Sequence, residues 1–450
     1  MKRDLTSGSV LRNIAYFSLP YLLSYFLQTL YGMADLFIIG QFEGAASTTA
    51  VSVGSQIMHM ITVVIVGLAM GTTVCIGQAI GAKDKGRASS VVGNTVTLFI
   101  ASSIVLAGIL LLFVKPIVSL MSTPTEAVDG TIQYLMICFV GIPFITAYNV
   151  ISSIFRGLGD SKTPMYFIAI ACLCNIGLDY LFMGGMDMGP SGAALGTTLS
   201  QTISVILALI TILRKKNLGI SIKSSDLKPA PSVMGQIMRI GIPIALQDGF
   251  IQIAFLIITI IANRRGLNAA AAVGIVEKII SFVFLVPSSM LSTVSALGAQ
   301  NVGAGQHDRA SATLHYAIGI TVIYGLIISI GVQFIGANIV GLFTSDSTVT
   351  LLGEQYIHGY IYDCIFAGIH FSFSGYFCAY GRSEISFLHN IIAICCVRIP
   401  GVYLTSLWFP ETLFPMGIAT ACGSLLSVIV CLIAYKWLKT KGIIPSGNKL

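Results

Sequence analysis

Charge is what this sequence has least of. Of its 450 residues, only 10% are Asp, Glu, Lys or Arg, whereas hydrophobic residues make up 55%. A soluble domain carries about 25% charged residues, so this chain cannot cover a water-facing surface of ordinary polarity. The scarcity of charge excludes a soluble globular protein and favours a chain that buries its apolar surface in lipid.

Residues that bind metals or nucleic acids are also few or scattered. The six histidines form no cluster with metal-ligand spacing, and most of the ten cysteines lie inside apolar runs, where they act as small hydrophobic residues. The net charge of +7 would suit nucleic acid, but the basic residues stand in short clusters between long apolar runs. That pattern is typical of membrane loops, and we expect no nucleic-acid partner.

Long apolar runs dominate what is present. A spanning helix needs about 20 apolar residues, and the stretch after the basic N-terminus is too long for a signal-peptide core. Twelve runs predict an all-α integral membrane protein with two six-helix lobes: an N-lobe over 1–213, a cytoplasmic linker over 214–234 and a C-lobe over 235–450. The runs centre near 13–38, 47–75, 88–113, 131–154, 164–185, 191–213, 235–262, 269–297, 311–335, 353–378, 385–408 and 414–437.

The distribution of basic residues predicts the orientation. If the N-terminus lies inside, the inner segments hold 20 of the 25 Lys and Arg residues and the outer loops hold three. Cytoplasmic loops carry such an excess. We therefore expect a multi-pass protein of the cell membrane with both termini in the cytoplasm.

The chain also contains an internal repeat. "GQAIGAKDKGRAS" (77–89) returns 222 positions later as "AQNVGAGQHDRAS" (299–311), and further pairs match across the halves, among them Pro20 with Pro243 and Tyr134 with Tyr356. Six helices per half predict a parallel repeat with its axis along the membrane normal, and two such lobes can rock around a central cavity. The motif lacks the Lys–Ser/Thr ending of a P-loop, so no nucleotide-driven motor is indicated.

Acidic residues within the helical runs are the candidate functional groups, because an ionisable residue inside a membrane is costly. Asp35 and Asp179 are both expected in the outer half of the N-lobe, from a rise of about 1.5 Å per residue. Asn175 lies one turn before Asp179, and Thr197 falls at a similar depth on the next helix. These four oxygen-bearing side chains predict a site for a proton or for a hard cation such as Na⁺. The corresponding positions of the second half carry no acid.

The C-lobe has its own ionisable residues. Asp248, Glu277 and Asp363 are acidic, and Arg398 lies near Asp363 in depth on a neighbouring helix. A neutralising pair of Asp363 with Arg398 is one interpretation. The alternative is that these acids contact a cationic substrate or form a second ion site, and the sequence leaves both open.

Several of these residues together resemble one family of transporters. The first-helix pattern Pro20, Gln28, Tyr31, Asp35 and "IIG", the repeated motif and "FRGLGDSKTP" are similar to the multidrug and toxic compound extrusion (MATE) family over essentially the whole chain. The resemblance implies twelve helices in two lobes and export of amphipathic, often cationic compounds in exchange for H⁺ or Na⁺. It implies no enzyme activity and no cofactor other than the coupling ion.

The resemblance also assigns roles to individual residues. Asp35, Asn175, Asp179 and Thr197 match the amino-lobe ion site of bacterial and archaeal members, with Tyr31 as a hydrogen-bonding neighbour. Pro20 matches the position where the first helix bends. Asp363 is similar to the tenth-helix acid of other branches.

Two other functions compete with multidrug antiport. A flippase of the same superfamily, which moves lipid-linked oligosaccharides, would favour a strongly cationic cavity for a pyrophosphate, whereas the candidates here are mainly acidic. An intramembrane aspartyl protease would need a Gly-x-Gly-Asp context, which is missing. Both H⁺ and Na⁺ suit the same oxygens, so the coupling ion stays open. Because one chain supplies both lobes, we expect a monomer.

Overall fold

The computed structural model describes residues 4–214 and 223–445, although not the side chains of residues 213 and 214. These residues form α-helices with a few short π- and 3₁₀-helical segments, and they contain no β-strand. Part of the predicted linker, 215–222, and the extreme termini lie outside the described residues.

Seven α-helices are described in the first half of the chain. They are α1 (Val10–Phe42), α2 (Ala45–Gly81), α3 (Lys85–Leu112), α4 (Val114–Leu120), α5 (Thr125–Gly157), α6 (Lys162–Asp179) and α7 (Gly189–Arg214). A π-helix, Tyr180–Gly185, continues α6, and a 3₁₀-helix, Ser224–Leu227, precedes the second half.

The described residues of the second half, up to residue 445, form nine α-helices. They are α8 (Pro231–Asn263), α9 (Leu267–Val283), α10 (Leu285–Gly303), α11 (His307–Gly341), α12 (Ser347–Tyr360), α13 (Asp363–Ala379), α14 (Ser383–Ala393), α15 (Ile399–Trp408) and α16 (Phe414–Thr440). A second π-helix, Ile394–Arg398, joins α14 to α15.

The described helices account for the twelve predicted spans. Eleven of them are long and apolar enough to cross a membrane. The remaining predicted span, near 353–378, is formed by α12 and α13, which are separated at Ile361 and Tyr362. The carbonyl of Ile361 accepts a hydrogen bond of 3.2 Å from the Ser329 hydroxyl, so this helix end keeps a partner inside the protein, as a break at membrane depth requires.

Two other helix breaks follow from proline. Pro116 and Pro287 each lack the amide hydrogen that would bond the carbonyl four residues earlier. Those carbonyls belong to Leu112 and Val283, which are the last residues of α3 and α9. Each proline then lies in the first turn of the next helix, where its missing donor is harmless.

The helices form two compact units. Unit 1 contains residues 19–241, and unit 2 contains residues 4–18 together with the chain from residue 242 onward. Helices α1 and α8 therefore change unit next to their internal prolines, Pro20 and Pro243. The lobe boundaries given by the sequence stay a prediction.

Each unit has its own apolar core. The core of unit 1 includes Phe139 and Ile142 of α5 with Ile38 and Ile39 of α1, all fully buried. This packing places the second half of α1, which carries Asp35, against the helices of unit 1.

Candidate functional site

Two carboxyl groups are buried in unit 1. Asp35 lies on α1 and Asp179 is the last residue of α6, just before the π-helix. Asp35 is 2% exposed and Asp179 is fully buried. π-helical turns occur frequently at functional sites, and this one begins at the residue after the second acid.

The four residues predicted to converge are brought together. The Thr197 hydroxyl on α7 donates a hydrogen bond of 3.0 Å to Oδ2 of Asp35. The side chains of Asp179 and Asn175 also lie within interaction range of the Asp35 carboxyl group. Helices α1, α6 and α7 thus supply two carboxyl groups, an amide and a hydroxyl to one small buried volume.

Most polar atoms of this cluster lack a hydrogen-bond partner among the described residues. They are Oδ1 of Asp35, both carboxyl oxygens of Asp179, and the amide oxygen and nitrogen of Asn175. A buried polar group without a partner is unfavourable, and a buried charge without one much more so. A proton or a small cation would satisfy these oxygens, and an all-oxygen set is what hard cations such as Na⁺ prefer.

A glycine makes room for the second carboxyl group. A Cβ atom at position 196 of α7 would collide with Oδ1 of Asp179 and would come within 3.6 Å of the Asn175 amide nitrogen. Gly196 therefore lets α7 pass directly beside Asp179. No sequence pattern marks this role, because it depends on how two helices pack.

Sequence reasoning also overlooked two polar neighbours. Gln201 lies one helical turn after Thr197 and interacts with the Tyr31 hydroxyl, which itself lies one turn before Asp35. Tyr134 of α5 is buried close enough to interact electrostatically with Asp35. The spacing from Thr197 to Gln201 was the available signal, because residues four apart share a helix face.

The acids of unit 2 are arranged differently. Asp363 forms a buried ion pair with Arg398, and the Arg398 guanidinium also donates to the Ser424 hydroxyl over 3.3 Å. Glu277 accepts a hydrogen bond of 3.1 Å from Thr259. Asp248 is half-buried on α8, and no described interaction joins it to Asp363 or Glu277.

The two units therefore differ in charge. In unit 1, no described basic side chain interacts with Asp35 or Asp179. In unit 2, the Arg398 guanidinium neutralises Asp363. The scaffold is duplicated, whereas the buried acids of the two units are neutralised differently: Asp35 and Asp179 have each other as neighbours, and Asp363 has a base.

The duplicated set of long apolar helices, with carboxyl groups buried among them, defines a multi-pass membrane transporter. A family model for MatE matches residues 20–181 and again residues 243–404. The chain thus belongs to the MATE family of multidrug efflux transporters, whose members are transporters and not enzymes. The double match confirms the predicted duplication and the family resemblance.

Curated relatives and solved structures agree with this assignment. The chain is 29% identical over 440 residues to the probable multidrug resistance protein YpnP of Bacillus subtilis, with 98% of each chain covered. It is 26% identical over 428 residues to the multidrug export protein MepA of Staphylococcus haemolyticus, with 94% of each covered. A structure of a multidrug resistance MATE transporter in an outward-facing conformation matches with a TM-score of 0.92 and 21% identity over 99% of both chains. That structure confirms the fold.

Proposed function

We propose that this protein exports small amphipathic, often cationic compounds by antiport, and that the buried cluster of unit 1 binds the coupling ion. The ion enters down its gradient, binds Asp35 and Asp179, and drives the release of the exported compound. The protein does this in the cell membrane with both termini in the cytoplasm, the orientation that its basic residues favour.

The unpartnered oxygens of Asp35 and Asp179 support this proposal most directly. Two carboxyl groups share one buried volume without a base, and Thr197 supplies one hydrogen bond to the pair. Such a site is complete only when a cation is bound, so its occupancy changes the local charge balance by one unit. Coupling of ion entry to export requires a group whose charge changes when the transported ion binds.

The energy that one ion supplies is sufficient for efflux when the exchange transfers one net charge. One positive charge that moves inward through ~100 mV releases about 2.3 kcal/mol. With that net transfer, the energy sustains a gradient of the exported compound of about 50-fold, because 1.4 kcal/mol corresponds to a factor of ten. Both H⁺ and Na⁺ fit an oxygen-only site, so the proposal covers either ion.

The substrate class rests on the relatives, whose names describe multidrug resistance and multidrug export. A lipid-linked oligosaccharide flippase is the alternative within the superfamily. It would need cationic side chains for a pyrophosphate, but the two buried guanidinium groups of the described residues, those of Arg156 and Arg398, face Tyr21 and Asp363 respectively. These contacts favour export of cations over transfer of an anionic lipid.

Dye efflux from proteoliposomes tests the proposal. Ethidium efflux is measured with a pH gradient and no Na⁺, and separately with a Na⁺ gradient and no pH difference. We expect at least one gradient to drive efflux by the wild type, and neither to drive it by Asp35→Asn or Asp179→Asn. Glu43→Gln is the matched control, since the Glu43 carboxylate also accepts a hydrogen bond from a hydroxyl, that of Ser47, but Glu43 directly follows α1 and lies outside the cluster.

Gradient-driven efflux by Asp35→Asn at the wild-type rate would refute the coupling role of the cluster. Movement of a lipid-linked oligosaccharide without movement of ethidium would favour the flippase.

A further inference from the structure

An arginine of the repeated motif holds the segment that leads into α1. The Arg309 guanidinium donates hydrogen bonds to the carbonyl oxygens of Gly8 (2.8 Å), Ser7 (3.2 Å) and Leu5 (3.5 Å). Its Nε donates to Oδ1 of Asn301 over 3.2 Å. All three guanidinium nitrogens thus donate hydrogen bonds, and most of these bonds go to the carbonyl groups of one turn. We call residues 5–8 the lead-in turn.

The lead-in turn is also fixed from its own side. The buried Asn13 amide donates to the carbonyl oxygens of Ser7 (2.9 Å) and Leu5 (3.3 Å). Leu5 is 1% exposed and belongs to a core cluster of unit 2 that also contains Ile14. The start of α1 is therefore part of unit 2, bound by apolar packing as well as by Arg309.

Pro20 stands where α1 passes from this anchored start into unit 1. Directly after it, Tyr21 packs under the Arg156 guanidinium, whose central carbon lies 5.0 Å from the ring centroid. A proline inside a helix removes one backbone hydrogen bond and weakens the helix at that turn. The weak turn therefore lies between two held stretches. Asp35 follows 15 residues later, about 22 Å along the helix.

The repeat offers an internal comparison. Arg87 occupies the position in unit 1 that Arg309 occupies in unit 2, and its guanidinium donates to one side chain, Gln236, over 3.0 Å. The lead-in to α8 is held instead by Asn94 and Thr97, which bond the backbone of residues 226, 227 and 230. Both lead-in segments are held by hydrogen bonds. Among the described contacts, however, the arginine of the repeated motif bonds the lead-in backbone only in unit 2.

We propose that Arg309 is a positioning residue for transport, because it fixes the start of α1 so that bending at Pro20 moves the ion-binding part of the helix. This inference rests on the proposed coupling role of Asp35. If the start of α1 were loose, bending at Pro20 would move the free end instead of the carboxylate. The anchor therefore governs how fast the ion-bound and ion-free states interconvert, and it contacts neither the ion nor the exported compound.

The predicted effect is on turnover and not on affinity. Arg309→Ala should lower the maximal rate of ethidium efflux about tenfold, because a charged hydrogen bond that is lost in the transition state of the bending step raises its barrier by about 1.4 kcal/mol. The half-saturating ethidium concentration should be unchanged. Arg309→Lys should give an intermediate rate, since an ammonium group keeps the charge but cannot contact three carbonyl groups in a fork. Arg87→Ala, the matched control, should stay within about twofold because it loses one solvent-exposed hydrogen bond, to Gln236.

A second variant separates positioning from mere loss of stability. Gly8 has a φ of +71° and its Cβ position is open, with nothing within 4 Å. Gly8→Val therefore strains the lead-in turn without crowding a neighbour. If the turn and Arg309 act as one anchor, Gly8→Val should reduce turnover as Arg309→Ala does, and the double variant should be no slower than either one.

Wild-type turnover by Arg309→Ala would overturn the inference, as would fully additive losses in the double variant. Amide hydrogen exchange of residues 10–18 gives a readout that does not depend on transport. Exchange should be slow in the wild type and faster in Arg309→Ala, and fast exchange in the wild type would also overturn the anchor. If the wild type moved no ethidium, the proposed function would fail, while the exchange result would still decide whether the anchor exists.

Discussion

The Thr197 hydroxyl donates a 3.0 Å hydrogen bond to the Asp35 carboxylate, whereas neither oxygen of Asp179 has a hydrogen-bond partner among the described residues. Thr197 of α7 therefore orients Asp35, whereas no described hydrogen bond holds the Asp179 carboxyl group. Under the proposed function, Asp35 is the oriented acid and Asp179 is the acid whose oxygens a cation would satisfy.

Removing the Thr197 hydroxyl should weaken ion binding without unfolding the protein. Thr197→Val deletes the donor to Asp35, and a hydrogen bond to a charged group contributes about 1.5 kcal/mol or more. We expect the concentration of the coupling ion that gives half-maximal ethidium efflux to rise about tenfold. Thr198→Val is the control, because the Thr198 hydroxyl has no hydrogen-bond partner in the described part of the chain. An unchanged ion dependence in Thr197→Val would show that this bond does not shape the site.

Filling the space beside Asp179 should displace its carboxyl group. The added Cβ of Gly196→Ala would collide with Oδ1 of Asp179, and overpacking of this kind costs about 1–3 kcal/mol. We expect a lower unfolding temperature and a loss of ion-driven efflux. Gly177→Ala on α6 has open space at its Cβ position and should be neutral or slightly stabilising. Normal efflux by Gly196→Ala would mean that α7 does not confine Asp179.

The ion pair of unit 2 should contribute strongly to stability when only one partner is removed. Asp363→Asn or Arg398→Met leaves a buried charge unpaired, and such losses are about 3–5 kcal/mol. The double variant Asp363→Asn with Arg398→Met removes both charges, so we expect it to be more stable than either single variant. Thermal unfolding of the three proteins in one detergent measures the coupling. Additive losses would indicate that the two residues do not act as a pair.

Replacing Pro20 should separate stability from transport. Pro20→Ala restores a donor in the middle of α1, where proline is about 3 kcal/mol less favourable than alanine, so the helix should become more stable. If bending at this turn is part of the cycle, ethidium efflux should slow. Pro143→Ala makes the same change inside α5 and should raise stability while efflux persists. Equal efflux by Pro20→Ala and the wild type would exclude a hinge at this position.

Much of the architecture could be predicted from the sequence, because a membrane demands apolar runs of a set length. The convergence of Asp35, Asp179, Asn175 and Thr197 followed from helical rise and spacing, which are local quantities. The separation of α12 from α13 was missed, since neither Ile361 nor Tyr362 is a proline or a glycine, and the Ser329 hydroxyl that bonds the Ile361 carbonyl comes from another helix.

The remaining features depend on tertiary packing. Gly196 is one of 46 glycines, and only the neighbouring carboxyl group distinguishes it. The repeat pointed to Arg309 as a loop residue, but its contact with the lead-in turn connects positions about 300 residues apart, and no spacing rule predicts such a contact.

The most direct test of the account is a count of protons released when Na⁺ is added to the purified protein in weakly buffered detergent solution. If one buried cluster binds either ion, Na⁺ should displace about one proton per wild-type chain. Asp35→Asn and Asp179→Asn should release none, and Glu43→Gln should behave as the wild type does. Where the wild type releases protons, equal release by Asp179→Asn would contradict the claim that this cluster binds the coupling ion.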